Sequence, residues 1–357
     1  CRSGKMVRVL VTGGTGFVGA QVVSTLLSRS GLNLEITVLR RIASTNPDGH
    51  MLQSVHEAIG CIEDEVSVCA AVQEADPELV IHLAGVYAWW QPDATRFERV
   101  NVQGVQNLLT AVKRMAKKAK IVHVSTVLAF GNPEGRGTSV ENAFNESTPA
   151  GPAASRYAAS KHAGDQLAQQ AFENGDVEGC TCFLACCIGR DAKLLDPERD
   201  VMKMKALVEG KVPAVIAGDT IFTYVDVRDA AEAIVRAGER ILKSHGVNGE
   251  KFLIGNQRLK TAEFYTLVAE LSGMARPTRQ VPAWTALGAG HASAFLAKFV
   301  TGRNPTAPAD LVRTATAGTL LFDATKSERD LGIEYRNIRE AFAEAIAFIQ
   351  EEARESQ

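Results

Sequence analysis

The sequence lacks a strong excess of charge of either sign. Its 39 lysines and arginines nearly balance 41 aspartates and glutamates, and the basic residues are dispersed along the chain. Binding to nucleic acid requires a concentrated basic face, so this composition argues against a nucleic acid partner. The densest basic cluster, at 113–120, coincides with a predicted helix end. Cations there interact favourably with the negative end of the helix dipole.

Long hydrophobic runs are also absent. The most apolar late segment, at 284–300, is interrupted by His291 and Lys298 and is shorter than a bilayer requires. No apolar signal core precedes the first predicted strand. We therefore expect a cytoplasmic protein without membrane contact, in which the late apolar segment forms a lid or a packing helix.

The seven cysteines do not show the spacing of a disulfide-rich scaffold. Four of them cluster in the apolar run CTCFLACCIG: Cys180, Cys182, Cys186 and Cys187. This run predicts one buried strand, in which free cysteine behaves as a small hydrophobic residue. Neither a histidine nor a second cysteine pair has the spacing of a tetrahedral zinc site, so no metal is expected.

Apolar strands alternate with helices along the first half of the chain. Strands are predicted at 7–13, 34–40, 79–85, 119–126 and 180–187. Helices are predicted between them at 16–28, 68–75, 101–117 and 157–174. This alternation is typical of a doubly wound α/β fold, in which helices cover both faces of a parallel sheet.

The segment VTGGTGFVG at 11–19 joins the first strand to the first helix. Its glycines let the backbone turn tightly and approach a pyrophosphate at the helix N-terminus. The strand before it and the helix after it favour dinucleotide binding over an ordinary tight turn. The predicted cofactor contacts from this loop are Gly13, Thr15, Gly16, Phe17, Val18 and Gly19.

The end of the second strand indicates which dinucleotide is bound. Proteins that bind NAD usually carry an acidic residue there, which holds the ribose 2′-hydroxyl. This chain has Arg40 and Arg41 instead. Guanidinium groups pair with a 2′-phosphate, whereas a carboxylate repels it, so we predict NADP(H) rather than NAD. The alternative is an ordinary exposed basic pair.

Residues 155–164 read SRYAASKHAG, in which Tyr157 precedes Lys161 by one helical turn. Residues four apart lie on the same face of a helix. An ammonium beside a phenol stabilises the phenolate and brings the tyrosine nearer to working pH. So short a motif also arises by chance, as an ordinary turn of surface helix.

Together the motifs resemble the extended short-chain dehydrogenase/reductase family, within the NAD-dependent epimerase/dehydratase superfamily. The resemblance is greatest to its dihydroflavonol-reductase-like and hydroxysteroid-dehydrogenase-like branch, and it spans about residues 7–350. The segments that carry it are TGGTGFVG at 12–19, HLAG at 82–85, NVQGVQNLL at 101–109, VHVSTVLAFG at 122–131, Tyr157-x-x-x-Lys161, YVDVRDAAEAI at 224–234 and FDATKSERDLGI at 322–333.

The resemblance implies roles for particular residues. It implies catalytic roles for Thr126, Tyr157 and Lys161, supported by Asn101. Lys161 would also hydrogen-bond the nicotinamide ribose. Cofactor contacts are implied for Asp64, near the adenine, and for Leu83 and Ala84, in the cleft. One departure concerns the nicotinamide: Leu184 lies where the family usually has a proline.

These roles imply net reduction of a carbonyl group. Hydride passes to the carbonyl carbon, Tyr157 protonates the oxygen, and Thr126 orients it. Dehydratases of the superfamily follow the threonine with Asp-Glu, whereas here Val127 and Leu128 follow. The alternatives are a nucleotide-sugar epimerase and a sensor or scaffold that binds NADP(H) without turnover.

Three aromatic residues follow the strand at 79–85: Tyr87, Trp89 and Trp90. They are expected near the pocket mouth, where they stack on a ring or an apolar chain, or else they are packing residues. A ketone or aldehyde on a ring-containing or apolar small molecule, such as a steroid, is the predicted substrate class.

The chain is divided into two interleaved domains. Residues 6–188, to which 219–240 return, are predicted to form the NADP-binding Rossmann domain. Residues 189–218 and 241–350 are predicted to form a smaller substrate-binding domain. The resemblance further implies a possible homodimer through the helices near 102–117 and 157–174.

Overall fold

The structure is a computed structural model that describes residues 5–31, 33–41, 54–195, 200, 202–243, 248–301, 305 and 308–355. At its centre lies a parallel sheet of seven described strands: β1 (Val7–Thr12), β2 (Leu34–Arg40), β3 (His56–Ile59), β4 (Leu79–His82), β5 (Lys120–Thr126), β6 (Gly179–Leu184) and β9 (Glu250–Ile254). Their order across the sheet is β3-β2-β1-β4-β5-β6-β9. The predicted doubly wound α/β fold is confirmed.

Helices cover both faces of this sheet. The longer described helices are α1 (Phe17–Leu27), α2 (Glu65–Ala75), α3 (Gly104–Lys113), α4 (Arg156–Glu173), α5 (Met204–Val208), α6 (Val227–Lys243), α7 (Thr261–Ser272), α8 (Ala283–Leu296), α9 (Ala309–Thr316), α10 (Thr325–Leu331) and α11 (Ile338–Glu355). Helices α1 and α6 pack together, as do α2, α3 and α4. Because apolar side chains project from both faces of the sheet, two hydrophobic clusters form, one under each helical layer.

The order of the strands reverses beside β1. This strand pairs with β2 on one side and with β4 on the other, both in parallel register. In open α/β sheets the crevice at such a reversal, beyond the carboxyl ends of the strands, is where ligands bind. The glycine-rich loop follows β1, so it lies at this crevice.

The prediction of a single strand across 180–187 is wrong. The chain leaves the central sheet after Leu184, and residues 186–188 form a separate strand, β7 (Cys186–Ile188). This strand pairs with β8 (Ile221–Asp226), which also pairs with β10 (Gln257–Lys260). Both halves of the run are apolar, so the hydrophobic pattern carries no sign of the break.

The second, three-stranded sheet packs with α5, α7 and α11 around its own hydrophobic cluster. Tyr224, Phe264 and Phe342 pack together at its centre, with ring centroids 5.6–6.1 Å apart. Strand β9 belongs to the central sheet, although the division drawn from the sequence assigned 241–350 to the smaller domain. The division itself stays a prediction.

Helix α8 and the π-helical turn after it, Ala297–Thr301, form the late apolar segment. Three of its aromatic side chains face outward, with Trp284 75% exposed and Phe295 and Phe299 also exposed. Within the described residues, no helix combines the length and the apolar character needed to cross a membrane.

Helix α4 approaches the chain before α3 very closely. The segment Arg99–Gln103 is a π-helical turn, and a Cβ added to Gly164 of α4 would lie 2.2 Å from the carbonyl oxygen of Asn101. A side chain at position 164 would therefore push α4 away from this turn. The absence of a Cβ at Gly164 sets the distance between the two elements.

We predict that Gly164→Ala destabilises the protein. Overpacking of a close contact typically costs about 1–3 kcal/mol, which exceeds the helix propensity of about 1 kcal/mol gained when alanine replaces glycine. Guanidinium unfolding should give a lower free energy of unfolding for this variant. Gly288→Ala in α8 is the matched control, because a Cβ there meets no atom within 4 Å. Equal stability of the two variants would contradict the proposed close contact.

Candidate active site

The glycine-rich loop is built so that its backbone meets the end of β4. Gly13 has a φ of +72°, and a Cβ on it would lie 2.7 Å from the backbone nitrogen of Ala84. Gly16 begins α1 without a side-chain cap, and its nitrogen donates to the Gly13 oxygen at 2.9 Å. The loop thus presents a helix N-terminus to the crevice, which suits a pyrophosphate.

The remaining loop residues predicted to contact a cofactor divide into two groups. Thr15, Phe17 and Val18 are half-buried at the start of α1. Gly19 is buried, and a Cβ on it would lie 2.0 Å from the Gly13 oxygen. Gly19 therefore allows the loop to fold back onto its own helix.

Arg40 ends β2 at the same edge of the sheet. Its guanidinium donates to Glu57 Oε2 on β3, at 2.9 Å from Nε and 2.7 Å from Nη2. Arg41 follows and is exposed. Asp64 lies beyond β3 as the N-cap of α2, where its carboxylate accepts a hydrogen bond from Val66 N at 3.1 Å.

Tyr157 and Lys161 lie in the first turns of α4, whose N-cap is Ser155. Both side chains are buried, Tyr157 8% and Lys161 7% exposed. The Lys161 ammonium donates to the Val124 carbonyl oxygen on β5 at 3.0 Å. Thr126 ends β5, and its hydroxyl acts on the pKa of the Tyr157 phenol. The structure thus brings the three predicted catalytic side chains together.

The electrostatics of this cluster follow from its burial. Burial raises the pKa of the Tyr157 phenol, the Asp165 charge acts in the same direction, and the Thr126 hydroxyl lowers it. Burial lowers the pKa of the Lys161 ammonium, while Asp165 opposes that effect. At neutral pH the phenol is therefore protonated and is able to donate a proton.

Asn101 supports this cluster from the π-helical turn. Its Nδ2 donates to Ser160 Oγ on α4 at 2.9 Å, and its Oδ1 accepts from Val86 N at 2.8 Å. It therefore links α4 to the loop after β4. Single π-helical turns often occur at functional sites, although no pattern in the sequence indicates this one.

The loop after β4 places aromatic rings on Tyr157. The ring centroids of Tyr87 and Trp89 lie 4.8 and 6.5 Å from that of Tyr157, and the Trp89 ring stands nearly perpendicular to it. Tyr87 is 45% exposed, so this aromatic wall opens to solvent. Trp90 follows and is half-buried.

Sequence reasoning missed a buried polar group beneath the cluster. Asp165, one turn after Lys161 on α4, accepts hydrogen bonds from His123 Nε2 at 2.8 Å and from Ser125 Oγ at 2.7 Å. The His123 ring stacks on His82, whose Nδ1 lies 2.7 Å from Thr12 Oγ1. The i, i+4 spacing of Lys161 and Asp165 was the signal available in the sequence.

A second missed residue is Lys193, in the short 3-10 helix Ala192–Leu195 after β7. A Cβ on Gly16 would lie 3.8 Å from Lys193 Nζ, so a cation lies beside the glycine-rich loop. No local pattern predicts this approach, because it depends on how the chain crosses the crevice. Throughout the described ranges, no three histidine, cysteine, aspartate or glutamate side chains come together as metal ligands.

Two curated relatives align with nearly the whole chain. One, named "Putative dihydroflavonol 4-reductase", from Synechocystis sp., is 26% identical over 357 residues and covers 95% of this chain and 94% of its own length. The other, sterol demethylase protein B from Methylococcus capsulatus, is 26% identical over 355 residues and covers 96% of this chain and 98% of its own length.

Solved structures share the fold. The crystal structure of gox2253 superposes with a TM-score of 0.76 at 23% identity, over 97% of this chain and 98% of the other. The UDP-glucose 4-epimerase of Thermus thermophilus, solved with NAD, superposes with a TM-score of 0.71 at 23% identity, over 96% of this chain and 99% of the other. A family model described as NAD dependent epimerase/dehydratase matches residues 9–255. The chain therefore belongs to this family of enzymes, which confirms its resemblance to the extended short-chain dehydrogenases/reductases.

Proposed function

We propose that the protein is an NADP(H)-dependent reductase of a ketone or aldehyde on an apolar or ring-containing small molecule. The observation that carries this proposal is the packing of Tyr87 and Trp89 on the ring of Tyr157. An aromatic wall around a buried, protonated phenol suits a carbonyl group attached to a flat or apolar skeleton.

The reaction follows from the charge states of the cluster. When bound, the reduced nicotinamide supplies a hydride to the carbonyl carbon. Tyr157 donates its proton to the developing alkoxide, which Thr126 orients by a hydrogen bond. Lys161 then faces a phenolate rather than a neutral phenol, and its buried ammonium stabilises that negative charge.

The cofactor is held at the carboxyl edge of the sheet in this proposal. The N-terminus of α1 takes the pyrophosphate, and Lys193 adds a cation beside it. Arg40 and Arg41 take the 2′-phosphate, which favours NADP(H) over NAD. Glu57 fixes the Arg40 guanidinium at the edge of the sheet through a charge-assisted pair of hydrogen bonds.

The residues after Thr126 support net reduction rather than dehydration. Val127 is buried and apolar, and the turn Val127–Phe130 carries no carboxylate. Elimination of water requires an acid and a base at the site, which this turn does not supply. The names of the two curated relatives refer to ring-containing molecules, a dihydroflavonol and a sterol, which also supports the proposed substrate class.

We expect Tyr157→Phe to lower carbonyl-dependent NADPH oxidation by about 10²–10⁴-fold, because the ring stays and only the proton donor is lost. A panel of ring-containing and aliphatic ketones and aldehydes is the assay, and NADPH binding measured by fluorescence should be unchanged. Tyr265→Phe, in the smaller sheet's cluster, is the matched control and should keep full activity.

Two outcomes of that assay would favour the alternatives. Wild type and Tyr157→Phe proteins that bind NADP(H) and are equally inert on the panel would favour a sensor or scaffold. Conversion of UDP-sugars without net consumption of cofactor would identify a nucleotide-sugar epimerase.

Arg40→Leu should lower the affinity for NADPH by about 10–100-fold, because a charge-assisted contact contributes about 1.5–3 kcal/mol. The affinity for NADH should change little. Arg8→Leu serves as the control, since Arg8 pairs with Asp76 at the other end of β1. The role of Arg40 would be refuted if the wild type bound NAD tenfold better than NADP. It would also be refuted if Arg40→Leu lost the same affinity for both cofactors.

Trp89→Ala should raise KM for ring-containing substrates by about tenfold, because it removes one aromatic contact worth roughly 1 kcal/mol or more. Small aliphatic aldehydes should show a much smaller change. Trp284→Ala removes an exposed tryptophan from α8 and is the comparison variant. Equal effects on both substrate classes would mean that Trp89 is a packing residue.

A further inference from the structure

The chain buries a carboxylate that the proposed reaction does not use. Asp165 follows Lys161 by four residues and Tyr157 by eight, so the three side chains lie along one face of α4. All three are buried. We propose that Asp165 is a positioning residue that provides the counter-charge for Lys161 and so maintains the ammonium beneath Tyr157. This inference rests on the catalytic roles proposed above.

Lys161 needs such a partner. Its ammonium donates a hydrogen bond to the neutral carbonyl oxygen of Val124, at 3.0 Å. A buried ammonium loses its hydration, and a carbonyl dipole alone replaces little of it. The carboxylate one turn along the same helix supplies the opposite charge in a site with little water to screen it.

Asp165 is held so that its charge is not cancelled. Its two oxygens accept from His123 Nε2 and Ser125 Oγ, at 2.8 and 2.7 Å. Burial lowers the pKa of His123, so its ring is a neutral donor at physiological pH. Among the ion pairs of the described residues, no lysine or arginine lies within 4 Å of Asp165. Two neutral donors therefore fix the carboxylate and leave its negative charge in place.

The other titratable groups around the cluster are neutral near physiological pH. From β4, His82 has its pKa lowered by burial. From β7, the thiols of Cys186 and Cys187 have their pKa values raised by burial. Tyr87 contributes a phenol from the loop after β4. Among these described groups, Asp165 and Lys161 are thus the ones that carry charge near physiological pH.

A negative charge disfavours loss of a proton from both Lys161 and Tyr157, so Asp165 raises the pKa of both groups. Reduction requires the protonated phenol and fails as the pair deprotonates at high pH. Removal of the Asp165 charge lowers both pKa values and moves the alkaline limb of the reduction to lower pH.

The test compares Asp165→Asn with Ser125→Ala. The first variant removes the charge and keeps the shape, whereas the second removes one hydrogen bond of the same carboxylate and keeps the charge. Protein labelled with isotopes in its lysines is titrated by NMR, and the Lys161 signal is identified by its absence in Lys161→Met. This readout needs no substrate, so it stays informative even if the proposed function fails.

Asp165→Asn should titrate Lys161 about one pH unit lower than wild type, a shift typical of one neighbouring charge. The alkaline limb of kcat/KM for carbonyl reduction should move in the same direction. Ser125→Ala should leave the Lys161 titration and the alkaline limb of kcat/KM unchanged, even if thermal unfolding shows that this variant is less stable. An unchanged Lys161 titration in Asp165→Asn, or an equal shift in both variants, would overturn the proposal.

If Asp165→Asn folds poorly, a second pair of variants tests the same proposal. Asp165→Ser also removes the charge and keeps an oxygen that accepts a hydrogen bond, so it should show the same shift. Asp165→Glu restores the charge and should return the Lys161 titration towards wild type. A Glu variant that titrates like the neutral variants would show that shape, not charge, matters at this position.

Discussion

The close approach of α4 to the π-helical turn around Asn101 is the contact on which the site depends. Gly164 leaves room for the Asn101 carbonyl oxygen, and the Asn101 side chain bonds Ser160 on α4. The same side chain holds Val86, at the start of the loop that carries Tyr87. A single crossing therefore sets the distance between the phenol of Tyr157 and the aromatic wall above it.

A second close approach places the cofactor loop against this cluster. Gly13 lies on the backbone of Ala84 because β1 and β4 are neighbours where the strand order reverses. The next strand, β5, ends at Thr126 beside α4. Neighbouring parallel strands end at one edge, so the glycine-rich loop, Thr126 and Tyr157 lie near one another there without long loops. Strand order, more than any single side chain, brings the two halves of the site together.

Local motifs were readable from the sequence because their physics is local. Glycine spacing, the Tyr157–Lys161 turn and the alternation of apolar segments each depend on a few consecutive residues. The break after Leu184 was not readable, because both halves of an apolar run are equally suited to burial. The place of β9 was not readable either, because it depends on pairing with the distant strand β6. The partners of Asp165 and the approach of Lys193 to Gly16 join distant segments, and only the tertiary fold sets them.

The order of the three groups along α4 determines how strongly one carboxylate acts on each of the other two. Each four-residue step rises about 6 Å, so Lys161 lies between Tyr157 and Asp165, which are about 12 Å apart along the helix. Coulomb energies fall with distance, so Asp165 acts more strongly on the ammonium than on the phenol. The carboxylate also raises the pKa of the Tyr157 phenol, which keeps the proposed proton donor protonated. In the proposed reaction, a carboxylate beyond Lys161 preserves the ammonium that stabilises the phenolate, whereas a carboxylate between Lys161 and Tyr157 would act against the phenolate directly.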